Sequence, residues 1–146
     1  MAIVLASPGL ALAQGWRETQ LAVMGMASKP AVVVAGAGLA WRDGGRTRVG
    51  GAMLVGTDEG GALAGRVEVA WHFLLDPAKR AGDGVYAGGG VALGASNGRA
   101  RPYLLLVIGA ENAPAGRRGT FIEAGIGGGA RIALGMRWRK QNAPSR

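Results

Sequence analysis

The feature that most restricts this chain is a period of two. The sequence divides into eight segments of about nine to thirteen residues, each alternating apolar side chains with small or charged ones and each closed by turn chemistry. The segments run over 19–28, 31–42, 47–57, 62–75, 85–95, 101–111, 120–128 and 131–139. Between them stand Ser28-Lys29-Pro30, Asp43-Gly44-Gly45, Asp58-Glu59-Gly60-Gly61, the stretch 76–84, Ser96-Asn97-Gly98, the stretch 112–119 and the glycines at 127–129. No window carries a 3.6-residue apolar stripe closed by caps, so helices are expected to be few or absent.

The fourth segment shows the pattern most clearly. Leu63, Val67, Val69, Trp71, Phe73 and Leu75 fall on one face, and Arg66, Glu68, Ala70 and His72 on the other. The last segment sets Ile132, Leu134, Met136 and Trp138 against Arg131, Ala133, Gly135, Arg137 and Arg139. The second sets Val33, Ala35, Ala37, Leu39 and Trp41 against Val34, Gly36, Gly38, Ala40 and Arg42, and the seventh sets Ile122, Ala124 and Ile126 against Phe121, Glu123, Gly125 and Gly127. An all-β, closed, up-and-down antiparallel barrel of eight strands follows, as one domain over 14–140.

Alternation alone does not say which face is inside, because a soluble barrel hides its apolar set and a membrane barrel turns it outward. Three observations favour the transmembrane type. The non-apolar face is mostly Gly and Ala (Gly36, Gly38, Gly50, Ala52, Gly88, Gly90, Ala92, Gly94), which suits a narrow interior better than a surface in water. Mid-strand charges of both signs, Arg48, Arg66, Glu68, Glu111, Glu123, Arg131 and Arg137, are able to pair inside a lumen together with His72. Trp41, Trp71, Phe73 and Trp138 sit on the apolar face near the ends of even-numbered strands, as an interfacial aromatic girdle would. An even strand count places both termini on one side, the periplasmic one in bacterial single-chain barrels, so the longer connections 76–84 and 112–119 fall there too.

Composition enters at two points. The 14 Arg outnumber the 3 Lys (Lys29, Lys79, Lys140), whereas a soluble β protein spreads Lys over its exposed faces and edges. The net charge of +8 suits anionic partners, but the basic residues are scattered over turns and single strand positions. They make no basic helix or aromatic-bearing basic face for nucleic acid. The expected surroundings are therefore the lipid bilayer, with lipopolysaccharide phosphates as anionic contacts, around a monomer. With no cysteine and one histidine, no metal site and no cofactor are expected.

The chain opens on MAIVLASPGLALAQ, an apolar run ending in the small-x-small pattern of Ala11-Leu12-Ala13. It is too short to span a bilayer as a helix and reads as a leader peptide over 1–13, partial because the basic start of such peptides is missing. Residues 141–146 form a polar tail. Residues 119–138, GTFIEAGIGGGARIALGMRW, resemble the closing hairpin of small outer-membrane β-barrels of the OmpA/OmpX-like group, and the eight-segment layout extends the likeness over about 16–140. That resemblance implies a location in the outer membrane of a Gram-negative-type envelope. In the group the last strand ends on an aromatic read by the assembly machinery, whereas here Trp138 is followed by Arg139-Lys140 and the tail.

Three functions stay open on sequence. The first is a structural or interaction barrel without catalysis, its lumen filled by side chains. The second is a secreted or periplasmic soluble barrel binding a small apolar ligand, as lipocalins do. The third is an envelope enzyme acting on lipid, for which His72 beside Glu68 would be the base and Ser28 or Ser96, both in loops, the available nucleophiles. Gly125-x-Gly127-x-x-Ala130 matches a dinucleotide fingerprint in letters only, since a strand and not a helix follows it.

Overall fold

Strands form wherever the alternation runs. In the computed structural model, which describes residues 15–43, 46–75 and 82–141, they are β1 (Trp16–Ala27), β2 (Val32–Arg42), β3 (Thr47–Asp58), β4 (Leu63–Leu74), β5 (Asp83–Ser96), β6 (Arg99–Asn112), β7 (Arg118–Ile126) and β8 (Ala130–Gln141). The leader read over 1–13, Lys79 and the tail past Gln141 lie outside the described residues. Each strand pairs antiparallel with the next, and β8 returns to β1 with Trp16 opposite Gln141 and Ala27 opposite Ala130. The sheet is a closed barrel, which removes the free edges an open sheet would expose.

Several segment ends differ from the sequence reading. β1 begins at Trp16 rather than at residue 19, which brings Glu18 into the barrel wall. β5 and β6 each run to 14 residues and meet at Asn97-Gly98, both with positive φ (52° and 70°), the two-residue hairpin turn that Asn-Gly favours. β7 stops at Ile126, short of the expected 128, because Gly128 turns the chain at φ 91°. β6 pairs with β7 only over residues 106–111, so the tip of the β5–β6 hairpin stands clear of β7.

The barrel has a terminus end, where β1 starts and β8 finishes, and a loop end. Connections at the loop end are short, at 28–31, 59–62, 97–98 and 127–129, and the strand ends that the longer ones join, Leu74 to Asp83 and Asn112 to Arg118, lie at the terminus end. The two faces of β4 show which way the wall is turned. Val67, Val69, Trp71 and Phe73 are 42, 51, 55 and 54% exposed, while Arg66, Glu68, Ala70 and His72 are at most 9% exposed. The same inversion holds on β8, where Ile132, Leu134 and Met136 face out and Arg131, Ala133 and Arg137 face in. Trp41, Trp71 and Phe73 stand exposed and Trp138 half-buried on the outer face toward the terminus end.

Candidate functional site in the barrel lumen

Inward side chains surround a mid-barrel cavity of about 40 Å³ bordered by Arg48, Glu68, His72, Glu123 and Arg131, and the charged members of the lumen occupy three levels. At the terminus end a single oxygen, Glu111 Oε2, accepts from Arg48 Nη1 at 3.0 Å, Arg137 Nη1 at 2.6 Å and Arg139 Nη2 at 2.9 Å. Glu18 joins the same arginines from β1, accepting from Arg48 Nη1 and Arg139 Nε, each at 3.2 Å. Arg139 Nη1 then donates to the carbonyls of Ala113 and Gly116, and Arg42 Nη1 to that of Pro114, so the β6–β7 connection is fastened over this end.

The middle level is built on aromatic rings lying over glycines. Tyr86 on β5 faces Gly109 on β6, and Phe121 on β7 faces Gly135 on β8; a side chain at either glycine would overlap the ring. Arg137 lies between these rings, its guanidinium carbon 5.1 Å from the Tyr86 centroid and 4.0 Å from that of Phe121. Tyr86 Oη accepts from Arg137 Nη2 at 3.2 Å and donates to Glu123 Oε2 at 3.0 Å. His72 meets Tyr86 edge-on at 5.2 Å, with its Nε2 3.6 Å from Glu123.

Toward the loop end, Arg131 Nη2 spans Glu123 at 2.8 Å and Glu68 at 3.5 Å, and Arg66 Nε donates to Glu68 Oε1. The chemistry softens here. Arg131 Nε donates to Met24 Sδ at 3.0 Å and Arg66 Nη1 to Met26 Sδ at 3.5 Å, beside an apolar cluster of Met24, Val32, Val34, Leu54, Ala64 and Ala133.

The structure thus places Arg48, Arg66, Glu68, His72, Glu111, Glu123, Arg131 and Arg137 together inside the barrel, in one connected set of contacts. Sequence reasoning left out three members. Glu18 fell outside the first segment, although inward parity extends back from Met24 through Gln20 to it. Arg139 was placed on the inner face but not in the network, and Tyr86 shares parity with the inward glycines of β5. The two candidate serines are far from His72. Ser28 donates to Pro30 O and Ser96 to Asp58 Oδ2, both at the loop end. His72 lies opposite Gly88, eight residues from Ser96 along β5, roughly 26 Å at 3.3 Å per residue. Among the described residues no group of three His, Cys, Asp or Glu side chains is arranged to hold a metal.

A closed eight-stranded wall with an apolar outer face and a charged interior defines the fold as that of the small outer-membrane β-barrels. Solved structures with this fold include the N-terminal β-barrel domain of Pseudomonas aeruginosa OprF, at TM-score 0.64 and 10% identity over 87% of this chain and 100% of that one. Neisserial surface protein A matches at TM-score 0.58 and 10% identity over 85% and 96% of the two chains. A de novo designed transmembrane β-barrel matches at 0.54 and 12% identity, over 84% and 95%. No protein-family model and no curated protein sequence matches the chain.

Proposed function

We propose that this protein resides in the outer membrane of a Gram-negative-type envelope as a monomeric barrel in a structural or interaction role, with no catalysis and no cofactor. The observation that carries the reading is the inside-out wall: exposed Val, Leu, Ile and Trp on the outer face, arginine and glutamate within. In water such a surface is unfavourable at about 25 cal/mol per Å² of apolar area, whereas against hydrocarbon it is matched. Trp41, Trp71, Phe73 and Trp138 mark one interface of that band. The bilayer is then the principal partner, with lipopolysaccharide in the outer leaflet.

The interior supports the non-catalytic reading over its two rivals. A lipocalin-like protein needs an apolar cavity, and this lumen is lined by ion pairs. A lipid-modifying enzyme needs a nucleophile within reach of its base, and Ser28 and Ser96 stand at the loop end, far from His72 in the middle level.

Two measurements test the membrane reading. The folded protein should be extracted only with detergent and run differently on a denaturing gel before and after boiling. Val69→Arg should destabilise it by about 2 to 4 kcal/mol in lipid, because that side chain meets hydrocarbon near mid-strand, and Ala70→Ser, facing the lumen, should change far less. Spontaneous solubility, or indifference to Arg at 69, would reject the reading.

A further inference from the structure

The network that fills the lower lumen does not reach the loop end. Above it the barrel opens into a vestibule of about 370 Å³, walled by the β1–β2 turn, the upper part of β4 and the projecting β5–β6 hairpin. Its charged lining is of one sign. Lys29 stands at the turn, Arg66 is deepest, and Arg99 and Arg101 lie on the inward face of β6. Arg66 and Arg101 flank Gly94 in a single register row, with the Tyr103 ring against that glycine as an aromatic wall.

The acids that would neutralise these cations are already engaged. Asp58 accepts from Ser96 Oγ, Asn97 Nδ2 and the amides of Gly60 and Ala62 at 2.7 to 3.0 Å, and Glu59 accepts from the amide of Ala31. Glu68 is shared between Arg66 and Arg131. Among the described residues five buried arginines (Arg48, Arg66, Arg131, Arg137, Arg139) stand against five buried acids (Glu18, Asp58, Glu68, Glu111, Glu123), so the excess positive charge of the mouth is that of Lys29, Arg99 and Arg101. Arg66, 3% exposed, keeps Nη2 without a hydrogen-bond partner in the protein, as do Arg48 and Arg131 for one or more donors deeper in the lumen; what sets Arg66 apart is that it borders the mouth, where Lys29, Arg99 and Arg101 make no ion pair among the described residues. A buried guanidinium with an idle donor beneath free cations is an arrangement completed by an oxyanion.

We infer that the loop-end vestibule binds a phosphate monoester group, with Arg66 as the deep ligand, Arg99, Arg101 and Lys29 as the closing cations, and Tyr103 as a flat surface for the sugar that carries the group. The phosphate of a glycolipid headgroup and free phosphate share this chemistry. The inference rests on the mouth alone and stands whatever surrounds the outer wall.

The test uses the full barrel refolded in a zwitterionic detergent and followed by calorimetry in low salt. One arm titrates inorganic phosphate. The other adds mixed micelles of a phosphorylated glucosamine-disaccharide lipid, with its dephosphorylated form as control. Saturable binding in either arm, weakened at least tenfold in the Arg99→Ala/Arg101→Ala double variant and absent with the dephosphorylated lipid, supports the site. Binding confined to the lipid arm identifies a membrane headgroup as the source, and comparable binding of inorganic phosphate identifies a diffusible anion. Arg66→Met should abolish what remains; if that variant does not fold, the rim double variant still decides. Failure to saturate in both arms, or binding unchanged in the double variant, overturns the inference.

Discussion

The two ends of the lumen are built from the same residue types and finished differently. At the terminus end Glu111 and Glu18 gather Arg48, Arg137 and Arg139, and the 113–117 connection is fastened across the opening by Arg139 and Arg42. At the loop end Arg66 and Arg131 share Glu68, two methionine sulfurs serve as acceptors, and the mouth stays open. Arginine and glutamate inside a narrow barrel therefore do two separable things. Where each carboxylate is shared among several arginines and covered they act as a plug, and where cations stand uncovered at the rim they leave charge available to something else.

The contrast breaks first at Glu111. Glu111→Ala removes the acceptor shared by three arginines and should cost about 5 kcal/mol, the upper end for stripping a partner from a buried ion pair. Urea unfolding in lipid vesicles measures it, and a loss under about 1 kcal/mol would mean the plug is no more tightly held than a surface pair. Glu68→Ala should cost about 3 kcal/mol, because Arg131 keeps Glu123 at 2.8 Å and Arg66 lies beside the open vestibule. Equal losses for the two variants would erase the distinction between the ends. Arg137→Lys should cost about 2 kcal/mol: one ammonium does not replace a planar group that stacks between Tyr86 and Phe121 while donating to Glu111, Tyr86 and Gln20. The smallest effect belongs to the rim. Ser96→Ala deletes one of several hydrogen bonds to Asp58 and should cost about 1 kcal/mol, leaving the strands unchanged by circular dichroism.

Much of this was legible in the sequence because a period of two is a strong signal when repeated eight times. The parity of Val67, Val69 and Trp71 against Arg66, Glu68 and His72 fixes which side chains travel together, and the closed eight-stranded fold follows from strand count and turns. Strand ends were less legible. Beginning β1 at 19 lost Glu18, since Trp16 and Arg17 do not extend the apolar alternation that marks Leu21 and Val23. Partner choice within the lumen was not legible at all. That Glu111 meets Arg48, 63 residues away, depends on the registers and closure of the whole barrel rather than on any local spacing. The vestibule was missed for the same reason: Arg99 and Arg101 read as turn and strand-end charges until the β5–β6 hairpin is seen to stand past β7.

Glu18 lies on the first strand, Arg139 on the last, and Arg48 and Glu111 on the third and sixth. No hairpin alone contains this set, so a half-rolled sheet would carry several unsatisfied charges into whatever medium surrounds it. Sealing the β1–β8 seam and neutralising the interior are thereby one event, and intermediates that stop short of it are penalised on electrostatic grounds. A barrel closed out of register by two residues would set these arginines opposite other rungs and lose the pairs that join the first strand to the last.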